Sequence, residues 1–216
     1  MTDPAATTPT PPRRTRRGEE RDLQIRARAS ELFLERGYDG VSLDDIVRDV
    51  GGSKTNVYNF YGGKDGLFLA VMDELIRDIV HPLQSLSLDR LGLRAGLRVF
   101  ATTMLDVLLQ ERHLAVQRLV IAEALRRPQI ASNWYSNGPR TTHAVLERFF
   151  RELQAGGHIR PSTDPARAAV LFHDMVIFDL LNRAMMAIDG GPAPHEIALT
   201  IRDAVTTMTA ALDAAR

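Results

Sequence analysis

Cysteine is absent from the 216-residue chain, so disulfide frameworks, thiolate metal sites and cysteine nucleophiles are excluded. No stretch approaches the ~18 consecutive apolar residues of a membrane span, and the N-terminal MTDPAATTPTPPRR lacks the apolar run of a secretory signal. A soluble, cytoplasmic protein is the expectation. Net charge is missing too, with 27 Lys and Arg against 27 Asp and Glu. A nucleic-acid role therefore has to rest on local arrangement. Strand-type alternation, internal repeats and nucleotide-binding glycine motifs are also lacking, which predicts an all-α chain. What is present is ordinary globular composition, 44% hydrophobic and 25% charged, over a length that fits one large domain or two unequal ones.

Arginine is concentrated early, in the RRTRR of residues 13–17 after a Pro- and Thr-rich tail. Such an arm buries no apolar surface. Its side chains suit phosphate binding or a minor groove, with a solvated tail as the alternative. Ile25, Ala29, Leu32 and Phe33 then fall on one face of a helix that Gly37 ends. Ser42 precedes Leu43, Ile46, Val47 and Val50, and Asp45 stands three residues after the serine as a capping box requires. Gly51 and Gly52 end this short second helix. Ser53 caps a third, over about Lys54–Tyr61, before Gly62 and Gly63. Two short helices joined by a glycine turn make a helix-turn-helix.

On the third helix the spacing turns Val57 and Tyr61 inward and leaves Lys54, Thr55, Asn56, Tyr58 and Asn59 exposed. A helix entering the major groove needs short polar groups near its start for base edges, and phenols, amides or lysines farther out for phosphates. Ser53 at its N-terminus and Lys64 beyond it are placed to flank such a contact. A merely solvated polar face is the alternative, against which the exposed Tyr and Asn count. The segment GYDGVSLDDIVRDVGGSKTNVYNFYGGKDGLF resembles the DNA-binding segment of the tetracycline-repressor (TetR) family of transcriptional regulators. The likeness rests on Ile25, Leu32, Phe33, Gly37, Ser42, Ile46, Gly51, Ser53, Val57, Tyr58, Tyr61, Lys64 and Leu67 in order and spacing. It implies base contacts from Lys54, Thr55 and Asn56, backbone contacts from Tyr58, Asn59 and Lys64, and dimers on palindromic DNA. Ser42 and Ser53 complete the candidate DNA-binding set. Gly52 stands where an apolar residue is usual in the family and is expected to loosen the turn. Phe60 cannot donate a hydrogen bond to phosphate.

Beyond Lys64 the pattern stays helical. Phe68, Val71, Met72, Leu75, Ile76 and Ile79 form a stripe up to Pro82. A fifth helix carries Leu93, Leu97, Phe100, Ala101, Met104 and Leu108, and a sixth runs over about 114–125. Gln129–Gln154 reads as one helix kinked at Gly138-Pro139, opening space. Asp164-Pro165 starts a helix through Met186, and a last one follows Pro194. The helix from Pro165 has apolar residues on more than one face. The resemblance implies that the last two helices pair with their copies, and Leu171, Met175, Phe178, Ile197, Ile201, Val205 and Met208 are the candidate dimer interface. Phe100, Met104, Gln117, Val120, Trp134, Met175 and Asp179, on helices converging near the kink, are candidate ligand contacts, with plain core as the alternative. This C-terminal stretch loosely resembles the AcrR type.

The six histidines form no HExxH, and His173-Asp174 in an apolar helix reads as a core or interface pair rather than a catalytic base with its orienter. No motif supports metal binding by His143 and His173, and neither an enzyme nor a cofactor is expected. The organisation expected is a disordered basic arm over 1–18, a DNA-binding domain over 19–65, and a helical ligand-binding and dimerisation domain over 66–216. The function expected is a homodimeric repressor released from a palindromic double-stranded DNA operator by a small, largely apolar effector. A dimeric helical interaction module without sequence-specific DNA binding is the alternative.

Overall fold

The computed structural model describes residues 16–213. Ten α-helices follow in order: α1 Arg16–Arg36, α2 Leu43–Val50, α3 Lys54–Tyr61, α4 Lys64–Gln84, α5 Leu93–Leu108, α6 Glu111–Glu123, α7 Pro128–Asn137, α8 Pro139–Ala155, α9 Pro165–Met185 and α10 Pro194–Leu212. A short 3-10 turn, Ile188–Gly190, joins the last two. Among the described residues the sole β-type pairing is one isolated bridge, Ile159 with Asp213. The all-α reading is correct.

The chain divides into two compact units after Phe68, against an expected boundary at 65/66. The reason is packing: Leu67 and Phe68 are buried, and the Phe68 ring meets Phe33 edge-on at 4.8 Å and Tyr38 at 4.9 Å. α1 begins at Arg16, inside the expected arm of residues 1–18, of which residues 1–15 lie outside the described residues. Arg13 and Arg14 lie outside the described residues.

In the first unit α1 supplies the buried Ile25, Ala29, Leu32 and Phe33, α2 supplies Leu43 and Ile46, and α3 supplies Val57 alone. Helices this short are marginal by themselves and depend on their caps and packing. α2 carries the full capping box between Ser42 and Asp45. Ser53 Oγ accepts from Asn56 N–H at 3.3 Å. Gly51 (φ 61) and Gly62 (φ 73) close the two helices in the left-handed conformation that favours glycine. Gly52 does not loosen the turn. A Cβ there would stand 3.3 Å from Ile25 Cδ1, so the turn packs closely on α1.

In the second unit Leu97, Phe100, Met104, Leu146, Phe149, Phe150, Phe172, Val176, Val205 and Met208 build the core between α5, α8, α9 and α10. Gly96 makes room for Phe149, whose Cζ would lie 2.2 Å from an added Cβ. Two expected boundaries shift. Pro82 lies inside α4 rather than ending it, since proline removes one backbone donor without forbidding the next turn. Gln129–Gln154 is two helices, because Gly138 takes φ −95, ψ −100 and breaks the run where only a kink was expected.

Candidate nucleic-acid interface and cavity

Val57 is the only buried residue of α3, and it anchors the helix so that Lys54, Thr55, Asn56, Tyr58 and Asn59 all remain exposed. Tyr61, half-buried, donates its hydroxyl to the Asp22 carboxylate. That bond fixes the roll of α3 against α1. The expected contact residues are brought together unevenly. Ser42, Lys54, Tyr58 and Lys64 share one shallow surface depression, while Thr55, Asn56 and Asn59 lie exposed on α3. Phe60 is exposed as well.

Three of these side chains are held in place. Lys54 Nζ stands 2.7 Å from Asp44 Oδ2. The Lys64 ammonium lies 4.0 Å above the Tyr38 ring centroid, and the Tyr38 hydroxyl donates to Asp65 Oδ1 at 2.6 Å. Ser42 gives both its N–H and its hydroxyl to Asp45 Oδ2. This hydroxyl lowers the Asp45 pKa, with the Ser42 backbone bond adding to it. Capping α2 thus accounts for Ser42 fully, and a phosphate would have to compete with Asp45 for it.

The second unit holds a cavity of about 60 Å³ lined by α4, α5, α6, α7, α8 and α9. Gln117 and Trp134 line it as expected, and so do Gly138 and Pro139 at the break between α7 and α8. The other five expected ligand residues do not. Phe100 and Met104 are spent in the core, and Val120 is buried without bordering the cavity. Met175 faces outward on α9, and Asp179 is exposed and pairs with Arg183 at 3.7 Å. Ile76, Ile79, Leu83, Thr142, His173 and Leu181 border the space without having been expected there. The apolar stripe of α4 was the one available signal. Burial lowers the pKa of His173, and burial followed by the repulsion of His173 lowers that of His143. Burial, the largest cause in both, favours the neutral form of each ring.

Of the expected dimer residues, Leu171, Met175 and Phe178 are exposed along α9. Ile197 and Ile201 are half-buried against the subunit's own core. Val205 and Met208 are buried within that core. α10 buries Ala204, Val205, Met208 and Leu212 in its own subunit and leaves Leu199 exposed.

Residues 25–71 match the family described as bacterial regulatory proteins, tetR family, and residues 95–213 match the AefR-like transcriptional repressor C-terminal domain. The chain belongs to the TetR family of DNA-binding transcriptional regulators. This TetR-family chain is 28% identical over 191 residues to the HTH-type transcriptional regulator EthR of Mycobacterium tuberculosis, covering 82% of this chain and 85% of EthR. It is 34% identical over 145 residues to the transcriptional activator FasR of Mycolicibacterium smegmatis, covering 65% of this chain and 64% of FasR. Among solved structures, a TetR-family regulator from Mesorhizobium loti superposes with a TM-score of 0.75 at 28% identity, over 92% of this chain and 99% of its own. The flavonoid-responsive regulator FrrA gives 0.77 at 25% identity, over 90% and 98%. The chain is a regulator and not an enzyme, and no helix among its described residues is long and apolar enough to cross a membrane.

Proposed function

We propose that this TetR-family regulator is a homodimeric repressor that binds a palindromic operator through α3 and leaves it when a small, largely apolar molecule enters the cavity of the second unit. One observation carries the reading. α3 turns a single residue, Val57, into the core and offers Lys54, Thr55, Asn56, Tyr58 and Asn59 outward. Thr55 and Asn56, at the start of the helix, are suited to base edges, and Tyr58, Asn59, Ser53 and Lys64 to phosphates. Two copies related by a two-fold axis through the exposed α9 face suit a palindrome, whose half-sites are related by the same symmetry.

The cavity suits an effector that is mostly apolar with one or two polar groups, since Gln117, Thr142 and His173 interrupt an otherwise apolar wall. FrrA, by its name, responds to a flavonoid, a ligand of that general character. At about 60 Å³ the cavity is well below the roughly 300–1,000 Å³ of ligand sites. An effector therefore binds a widened form, and its preference for that form supplies the energy that shifts the protein away from its DNA-bound state.

The test is selection of the full-length protein on random duplex DNA, then salt titration of the best and a scrambled sequence. A palindrome bound at least ~10³-fold above the scramble is expected. Equal, weak affinity for both, or affinity that survives joint replacement of Thr55, Asn56 and Tyr58, would refute the α3 reading.

A further inference from the structure

α8 and α9 bring three potential metal ligands together at the cavity wall. The rings of His143 and His173 meet edge-to-face at 4.4 Å, and Asp174 Oδ1 lies 3.0 Å from His173 Nδ1. One ring nitrogen from each histidine and one Asp174 carboxylate oxygen all lie within 4.8 Å of one another. His143 Nε2 is buried and has no hydrogen-bond partner. A polar nitrogen withdrawn from water and left unpaired is rare and costly, and calls for an unseen water or ion. We propose that His143, His173 and Asp174 form a binding site for a divalent transition-metal ion of the zinc class.

The donor set decides the class. Two imidazoles and one carboxylate suit zinc, cobalt or nickel, whereas calcium and magnesium demand all-oxygen shells. Ligand atoms around a tetrahedral zinc lie roughly 3.3 Å apart, given metal–ligand bonds of about 2.0–2.2 Å. The donors, within 4.8 Å of one another, have to close on that spacing by up to about 1.5 Å. The exposed Asp174 side chain has the freedom to make that movement, and its carboxylate brings an anionic oxygen donor to the two imidazoles. Three protein ligands leave a position open for water. Because His173 also lines the cavity, an ion here would pin one cavity wall and tie α8 to α9. That makes metal occupancy a second input to the space that an effector enters.

Tag-free, chelator-treated full-length protein titrated with Co²⁺ tests the site by its visible d–d absorption, with Zn²⁺ following in a thermal-shift assay. The expected result is one Co²⁺ per chain and a thermal midpoint raised by Zn²⁺, as any ligand of the native state raises it. His143→Gln and Asp174→Asn should each weaken Co²⁺ binding at least tenfold and abolish the Zn²⁺ shift. Asp174 is exposed, so Asp174→Asn serves as the deciding variant should His143→Gln fold poorly without metal. Co²⁺ binding of equal affinity and stoichiometry in wild type and in the His143→Gln/Asp174→Asn double variant would overturn the proposal, as would no Co²⁺ uptake by wild type. Neither readout involves DNA, so the result stands apart from the operator reading.

Discussion

Lys54, the first residue of α3, is paired with Asp44 of α2, Nζ to Oδ2 at 2.7 Å. Both side chains are at least half exposed, so the pair adds little to stability. Its significance is electrostatic. Asp44 sets a negative charge beside the lysine expected to meet a base edge, and DNA must displace it. Asp44→Asn should raise affinity for non-specific duplex about fivefold at low salt, the equivalent of ~1 kcal/mol for one exposed charge at contact distance. Fluorescence anisotropy across a salt series reads this, and unchanged affinity would show that Lys54 does not approach DNA. Because Asp44 lies in the first turn of α2, a small loss of thermal stability should accompany the gain.

Gly96 permits the closest approach at any described glycine of the second unit. A Cβ at this position would sit 2.2 Å from Phe149 Cζ and 2.9 Å from both Cε atoms, and Phe149 is buried with its ring tilted against that of Phe150. Gly96→Ala should destabilise by about 1–3 kcal/mol despite alanine's better helix propensity. Chemical denaturation checks the sign. A second change, Phe149→Leu, should recover part of the loss if the clash is the cause, and no recovery would point elsewhere.

The first unit was legible because its signals are local. The Ser42–Asp45 box, the glycine stops and the polar face of α3 each lie within a few residues of one another, and the capping bonds form as the spacing predicts. The cavity was not legible. Phe100, Met104 and Val120 carry the same periodic apolar signal as the residues that do line it, and only the packing of six helices decides which side chain borders a void. Gly138-Pro139, with Gln117 and Trp134, was the exception, because a broken helix leaves a gap where it breaks. His143 and His173 lie on different helices, so no sequence motif announces their meeting.

Arg183 and Glu196 join the end of α9 to the start of α10 through two hydrogen bonds of 2.7 and 3.2 Å, and Ala193 N–H donates to the same carboxylate at 2.7 Å. The Arg183 bond, then the Ala193 bond, hold the Glu196 pKa down to about 2 from its ordinary 4.5. A depressed carboxylate pKa contributes stability that is present in full above 4.5 and fades as pH falls from there to about 2. Glu196→Gln should therefore lower the thermal midpoint at pH 7 and lose its difference from wild type near pH 2. Melting curves at stepped pH measure it. A constant difference across that range would mean that packing, rather than ionisation, carries the effect.

Phe178 and Met208 were both expected at a dimer interface, yet they differ in burial. Phe178 is 73% exposed on α9, flanked by the exposed Met175 and Leu171, while Met208 is 4% exposed within the core of its own subunit. A large ring standing in water is unfavourable unless something covers it, and a second copy presenting the same face around a two-fold axis would do so. Phe178→Arg should then convert the protein to monomer with little change in helix content, because the substituted side chain leaves no hole in the subunit. Met208→Ala should do the reverse, costing about 2–5 kcal/mol of stability from a lost core side chain while the folded fraction keeps its oligomeric state. Sedimentation alongside circular dichroism separates the two. A Phe178→Arg protein that sediments as wild type does would remove the exposed α9 face from the dimer and, with it, the geometric basis for reading two half-sites at once.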